Sequence, residues 1–333
     1  KSVFRRILNY LSFSLSAFLL GPWLIRKSDI VYVYNLVTLG PPAFWLRLLF
    51  GLKVIIDVQD LWPESVANSN ILRNKAALRA LNKICNWVYR RADCLTVLSP
   101  GFKKELTTRG VPPEKIEVIY NWCDEAGIAT NASAFYSTKP SEFKGKFIVL
   151  FAGAMGFVQG LNTLLDCAEL CREGLPDVRF ILIGDGVERP RLQQRAKEMG
   201  LDNLVFLPPC SIEKMGEILA LADALIIHLV DDQLFRITIP SKTQAYLYAG
   251  RPIIMAVQGD AGDLVQKSGA GILCEPENPM AMMNTIRALY EMPAIKRQDM
   301  GESGHRYYMD HLSLNQGVEK FEKIMMSLLR EGI

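Results

Sequence analysis

The 333-residue sequence predicts an α/β protein with two doubly wound parallel sheets. Three observations carry this prediction. Short apolar, β-branched runs alternate with helix-length segments along the chain; the alternation breaks in a polar stretch over 125–145 and then restarts; and several runs end on Gly, Asp or Pro. Strands buried on both faces read as near-continuous apolar runs, and helical crossovers between them impose parallel pairing. A ligand meets such sheets at their carboxyl edges, where small and polar residues collect.

In chain order, the first segment reads as helix from its first residues, and Leu11 to Ile25 is almost wholly apolar. That is shorter than the roughly 20 residues of a membrane span, and Gly21-Pro22 interrupts it. A buried helix is the first reading. The second is a helix lying in a membrane surface, with Arg5 and Arg6 at one end and Arg26 and Lys27 at the other. Because the chain opens on Lys1 and already in helix, it is expected to be a fragment whose N-terminal part is missing. Strands follow at Ile30–Tyr34, Lys53–Val58, Cys94–Leu98 and Ile116–Ile119, with helices at Ala43–Phe50, Ala76–Arg90 and Pro100–Arg109 between them.

The segment Glu125–Gly145, rich in Ala, Ser, Thr and Asn, is the expected domain linker. Beyond it come strands at Phe147–Phe151, Val178–Ile183, Val205–Leu207, Ala224–Ile227, Pro252–Met255 and Gly271–Leu273, and amphipathic helices close the chain from about Pro279. The expected domains are 1–140, 141–305 and a set of C-terminal helices, 306–333, that pack back towards the first.

Half the residues are hydrophobic and 22% are charged, which excludes a disordered chain. A net charge of +3 without an aromatic-interleaved basic run argues against nucleic acid. Seven scattered cysteines without a Cys-x-x-Cys pair fit a reducing compartment better than a disulfide framework or a zinc site.

Four stretches carry chemistry. Phe235–Thr243 closes a loop on Pro240 and opens a helix with Ser241 and Lys242, which runs through Tyr246 to Gly250. Pro and a hydroxyl at a helix start and Gly at its end are ordinary boundary signals. The addition is Lys242, a cation beside unpaired N–H groups at the positive end of a helix dipole, an arrangement suited to a phosphate or diphosphate. A solvated lysine on a surface helix has the same local sequence. Phe151–Gly160 joins a strand to a helix through three glycines that permit close backbone approach to an anion, without P-loop or dinucleotide spacing. Ile183-Gly184-Asp185-Gly186 has two glycines of a phosphate turn, with Arg189 in place of a third.

Asp57–Ser65 sets carboxylates at Asp57, Asp60 and Glu64 near a strand end, where acid–base work or hydroxyl binding needs them; Glu64 or Ser65 capping a helix is the plainer account. The histidines, His228, His305 and His311, are too widely spaced for a metal site or a triad, and His228 reads as structural. No Asp-x-Asp occurs to hold a nucleotide through a divalent metal.

The order of Asp60-Leu61-Trp62-Pro63-Glu64-Ser65, Tyr89-Arg90-Arg91-Ala92-Asp93, Leu98-Ser99-Pro100-Gly101-Phe102, Asn121-Trp122-Cys123-Asp124, the Gly153–Gly160 turn, Gly184-Asp185-Gly186 and Ile239-Pro240-Ser241-Lys242-Thr243 resembles retaining glycosyltransferases of the GT-B fold. Within glycosyltransferase family 4 it is most similar to the bacterial fucosaminyltransferase-like branch, which builds O-antigen, capsule and related surface polysaccharides. The resemblance implies two Rossmann-like domains facing across a cleft, the N-terminal one truncated here. The C-terminal domain would hold a UDP-sugar and the other would present the acceptor.

Carried onto matching positions, Gly153, Gly156 and Gln159 fall in the diphosphate turn, and Lys242 with Ser241 would neutralise the leaving diphosphate without metal. Asp185 and Leu207 would lie near the nucleoside, and Asp60 and Glu64 on the acceptor side. The implied catalytic set is Asp60, Glu64 and Lys242, with no cofactor. The sequence departs from the family in three ways. A glutamate pair falls at Phe235 and Thr243, leaving Asp231, Asp232 or Asp260 as substitutes; an Arg and a Lys of the first turn are replaced by Ala154 and Gln159; and the Gly-rich loop that opens the N-terminal domain is absent.

The implied function is transfer of an N-acetylated deoxyhexosamine, such as N-acetylfucosamine, from UDP to a lipid-linked or nascent glycan. It would occur in the cytoplasm, with peripheral contact at the inner face of the bacterial membrane. The alternatives are a UDP-N-acetylglucosamine 2-epimerase, disfavoured by the few histidines, and a non-catalytic nucleotide-sugar-binding scaffold subunit.

Overall fold

The computed structural model describes residues 3–25, 27–65, 74–129 and 143–330. The chain divides into two compact units, one of Lys1–Tyr120 with Val318–Ile333 and one of Asn121–Gly317. The second unit thus begins ahead of the expected linker, takes in residues 306–317, and gives the chain back to the first only at Val318. Most of the linker itself lies outside the described residues.

The first unit runs α1 (Val3–Leu24), β1 (Ile30–Tyr34), α2 (Gly40–Phe50), β2 (Lys53–Val58), α3 (Lys75–Arg91), β3 (Cys94–Val97), α4 (Pro100–Thr108) and β4 (Ile116–Val118). Its sheet has the order β1-β2-β3-β4, all parallel. Helix starts are set locally. The Asn74 side chain accepts from the N–H groups of Ala76 and Ala77, and Ser99 caps α4 at Phe102 with Pro100 in the first turn.

The second unit holds α5 (Glu125–Ile128), β5 (Phe147–Ala152), α6 (Asn162–Gly174), β6 (Val178–Ile183), α7 (Arg189–Glu198), β7 (Leu204–Leu207), α8 (Ile212–Ala220), β8 (Ala224–His228), α9 (Gln233–Arg236), α10 (Ser241–Tyr248), β9 (Ile253–Ala256), α11 (Asp260–Ser268), β10 (Gly271–Leu273), α12 (Pro279–Glu291) and α13 (Ala294–His311). The strands pair in parallel in the order β10-β9-β8-β5-β6-β7. Its four central strands are buried, and one core joins Phe147, Val149 and Phe151 of β5 to Leu164, Leu165 and Ala168 of α6 and Met282 and Ile286 of α12. The final helix, α14 (Leu314–Arg330), ends in the first unit, where Leu328 packs with Ile55 and Cys94.

One expectation is overturned. The apolar run in α1 is not a buried helix. Gly21 packs on Leu46 of α2, but Leu11, Phe13, Leu15, Leu19 and Leu20 are exposed. Apolar composition alone did not reveal that only one stripe of the helix has a partner in the first unit. Among the described residues, no helix is long and apolar enough to cross a membrane.

Candidate active site

The carboxyl edge of the second sheet brings together three of the segments singled out in the sequence. β5 ends at Ala152 and the chain turns at Gly153, whose φ of 140° suits glycine. The next strand, β6, ends beside it and turns at Gly184. The two turns lie back to back: Gly153 N–H donates to Ile183 O at 2.8 Å, Met155 N–H to Asp185 O at 2.8 Å, and Glu188 N–H to Met155 O at 3.0 Å. A Cβ on Gly184 would stand 1.9 Å from the Gly153 carbonyl oxygen, so nothing larger than glycine fits. Arg189, where a third glycine was missing, donates from its guanidinium to the Gly184 carbonyl. Leu207 sits opposite Ile183 in the β6–β7 register and so ends its strand beside the same turn.

Lys242 enters from α10. Its ammonium lies 4.1 Å from the centre of the Phe151 ring, and a Cβ on Gly153 would meet Lys242 Cε at 2.9 Å and Nζ at 3.1 Å. The amine thus lies against the Gly153 turn. Burial pushes it down to about 8. A cation held this way is destabilised relative to one in water.

Tyr246, one turn further along α10 on the same face, fixes that placement. Its hydroxyl accepts from Ala152 N–H at 2.8 Å and faces Ala152 O at 3.3 Å, pinning the helix to the end of β5. Sequence reasoning passed over Tyr246, although its spacing of four from Lys242 was the available signal. Ser241 is exposed at the first position of the helix.

Two other side chains shape the turn. The Gln159 amide oxygen accepts from Gly156 N–H at 2.9 Å, so this amide is committed to holding the turn. His228, at the end of β8, donates from Nδ1 to Gln159 O at 2.8 Å and accepts at Nε2 from Glu277 N–H at 3.0 Å. Those partners require the neutral ring with its proton on Nδ1, and burial holds its pKa below the ordinary value. His228 is thus the strut between the Gly-rich turn and Glu277.

Asp185 is exposed and accepts from Gly186 N–H at 2.8 Å. Asp231 forms a two-point ion pair with Arg236, at 2.9 and 2.8 Å, and Asp232 caps α9 at Leu234 N–H. Both aspartates therefore already have partners, and neither stands free in place of the missing glutamates. Among the described residues, no group of three or more His, Cys, Asp or Glu side chains is placed to hold a metal ion.

In the first unit, the carboxyl edge carries a separate polar cluster. Asp57, 4% exposed, accepts from Tyr32 at 2.6 Å, from Thr96 at 2.8 Å, and from Gln59. Burial, and then Asp57, push the Tyr32 phenol up. Asp60 is exposed and gripped by Asn35: the amide donates to its carboxylate at 2.7 Å and its own N–H donates to Asn35 Oδ1 at 2.8 Å. Asn35 adopts φ 55° at the end of β1, a conformation asparagine tolerates.

Glu64, expected on the acceptor side, is held in an ion pair. It pairs with Arg109 at 2.8 Å, and Arg109, only 8% exposed, also binds Glu105 at 3.0 Å and Trp62 O at 2.9 Å. Burial opposes the guanidinium charge, but Glu64 and Glu105 outweigh it and hold the Arg109 pKa above its ordinary value. Arg109→Met, which leaves two carboxylates facing a thioether, is expected to cost about 2–3 kcal/mol in urea unfolding. An unchanged midpoint would show that the Arg109 pair does not hold this loop.

Two parallel-sheet α/β units, one with a glycine turn that meets a part-buried cation, make a GT-B architecture. Family comparison agrees. The model described as "Glycosyl transferases group 1" matches residues 134–307, and "Glycosyl transferase 4-like domain" matches residues 5–122. The chain belongs to the group 1 glycosyltransferase family. It is 25% identical over 293 residues to the probable glycosyltransferase WbjE of Pseudomonas aeruginosa, covering 86% of this chain and 71% of that one. To the putative colanic acid biosynthesis glycosyl transferase WcaI of Escherichia coli K12 it is 23% identical, covering 88% and 74%. Its fold matches Anabaena HepE, solved with UDP-glucose, at a TM-score of 0.74 and 16% identity, over 96% of this chain and 82% of that one.

Proposed function

We propose that the chain transfers a sugar from a UDP-sugar to a lipid-linked or nascent glycan of a bacterial surface polysaccharide, with retention at the anomeric carbon and without metal. The observation that carries this reading is Lys242, a part-buried cation set over Phe151 against the Gly153 turn. Family membership favours a transferase over an epimerase or a scaffold. The named roles of WcaI and of an Escherichia coli O-antigen chain mannosyltransferase, 21% identical over 93% of this chain, support the polysaccharide assignment. HepE, solved with UDP-glucose, supports UDP as the carrier. The fucosaminyltransferase-like branch and an N-acetylated deoxyhexosamine donor rest on the motif order alone.

In this reading Gly153 and Gly156 line the diphosphate, Lys242 and Ser241 meet its charge, and Asp185 and Leu207 flank the nucleoside. Asp60, oriented by Asn35, acts on the acceptor side, and Glu64 acts only through the Arg109 pair that holds its loop. The bond from the anomeric carbon to the β-phosphate oxygen breaks, and a glycosidic bond forms on the same face. The acceptor hydroxyl proton passes to the departing phosphate. Lys242 stabilises the charge that grows on that phosphate, an electrostatic role of the kind often largest in catalysis.

Calorimetry with UDP, GDP, ADP and phosphate in EDTA tests the donor site. UDP at a hundred times its Kd is expected to add about 2.7 kcal/mol of stability, with no comparable effect from the other three. Since Lys242 is pushed down to about 8 and an anion restores its charge, binding should take up a proton above that pH. UDP affinity should then fall roughly tenfold per pH unit beyond it. Binding that appears only with a divalent metal would overturn the metal-free reading, and an inverted anomer in the product would overturn retention.

A further inference from the structure

Three loops at the carboxyl edge of the second sheet meet on one side chain that the transfer steps above leave unused. His228 ends β8 and is 1% exposed. Its Nδ1 donates to Gln159 O at 2.8 Å, and its Nε2 accepts from Glu277 N–H at 3.0 Å. The ring also fills the space over Gly160, where a Cβ would stand 2.8 Å from His228 Cε1 and 3.0 Å from Nδ1. Gly160 has φ 55°, so glycine here serves both the turn and the approach of the ring.

The contacts continue beyond the ring. Glu277 adopts φ 56°, a left-handed conformation that costs a glutamate energy, and its carboxylate accepts from Asp231 N–H at 2.9 Å. Asp231 is in turn clamped by Arg236, shortly before Pro240 and the start of α10. Val230 N–H donates to Val158 O at 2.9 Å. The Gly153–Gly160 turn, the segment that leads to Lys242 and the loop after β10 are therefore fastened together at His228.

We infer that His228 is a positioning residue for donor binding: its neutral ring, through the Nδ1–H bond to Gln159 O, holds the backbone of the turn in the form that receives a diphosphate. The inference rests on the UDP reading. Gln159 O is satisfied only by a donor and Glu277 N–H only by an acceptor, so a ring with one proton serves both and a doubly protonated ring cannot. Acid therefore sets N–H against N–H at Glu277. The charged groups about the ring are Glu277, with Asp231 and Arg236 behind it, and Glu188 and Arg191 across a cavity of about 170 Å³ that Gly160, Val230 and Glu277 line. Burial favours the neutral ring and outweighs the opposite pull of Glu277.

Two amide variants divide the ring nitrogens between them. Asn places an N–H near the position of Nδ1, and Gln places a carbonyl oxygen near that of Nε2. His228→Asn thus keeps the bond to the turn, and His228→Gln keeps the bond to Glu277. By calorimetry, UDP affinity should stay within about threefold of wild type in His228→Asn and fall about tenfold or more in His228→Gln. Each variant loses one bond, so the two should melt alike. Wild-type affinity should drop as pH falls below 6.5, and His228→Asn, which shares the titration of UDP itself, should lack that extra loss. Equal affinity losses that track the melting temperatures would leave His228 a structural role only and overturn the inference. So would the same acid loss in His228→Asn. Amide hydrogen exchange over residues 156–160 of the ligand-free protein is read independently of UDP. It should be about tenfold faster in His228→Gln than in His228→Asn, and equal rates would overturn the inference even where UDP binds. With that difference present and no UDP bound by wild type, it is the UDP reading that fails, and the donor role of His228 fails with it.

Discussion

Lys242→Met should make the ligand-free protein more stable while removing donor binding. The folded amine is pushed down to about 8 from 10.5 by burial. Between those values the unfolded chain binds more protons than the native one, so wild-type stability rises with pH across that window. The penalty of the buried charge is present in full below about pH 8 and is gone above about 10.5. A methionine keeps the stem packed on Phe151 and carries no charge. Its gain should be on the order of 3 kcal/mol at pH 7 and should vanish at the alkaline end. UDP affinity should fall about a hundredfold and turnover by a comparable or larger factor. If neither stability nor UDP binding moves, Lys242 is a solvated surface residue and the donor site lies elsewhere.

Gly184→Ala should be among the most damaging single-methyl additions in the second unit. Its Cβ would stand 1.9 Å from the Gly153 carbonyl oxygen, which is backbone and cannot swing aside, and its φ of 137° is one that alanine rarely adopts. Relief requires the two turns to part, breaking the bonds from Gly153 to Ile183 and from Met155 to Asp185. The expected cost is about 3 kcal/mol or more by urea unfolding, with UDP affinity lost as Gly153 moves. Gly51→Ala is the control. Gly51 has φ 70° but nothing within 4 Å of a built Cβ, so only conformational strain of about 1 kcal/mol is expected. Equal losses at the two positions would show that strain, not the approach of the turns, governs both.

Both sheets could be read from the sequence because their strands are apolar runs between helix-length segments, a signal local to each element. The Pro240–Lys242 helix start and the Gly153 turn were legible for the same reason. What failed depended on distant partners. Glu64 read as an acceptor-side carboxylate or a helix cap, because its partner, Arg109, lies at the end of α4, forty-five positions on. Asn35 read as the end of a strand; only the parallel register, with Tyr34 opposite Asp57, brings it to Asp60. His228 was taken as structural, but its two contacts, at Gln159 and Glu277, could not be seen without the order of β8 and β5 in the sheet. For α1, composition gave the helix but not how little of it would be covered.

The path of α14 bears on how the protein is made. Leu328 packs with Ile55 and Cys94, Phe321 meets Tyr32 edge-on at 5.7 Å, and Lys320 lies over Tyr120 at 5.9 Å. The first sheet therefore acquires part of its cover from the last described helix, about two hundred residues after its own final strand. A ribosome delivers the chain from its N-terminus, so this sheet must wait, with Ile55 and Cys94 unsheltered, while the entire second unit emerges. Chaperone demand during translation should be concentrated on the earlier-born half, and a fragment halted at Tyr120 should be an insoluble one.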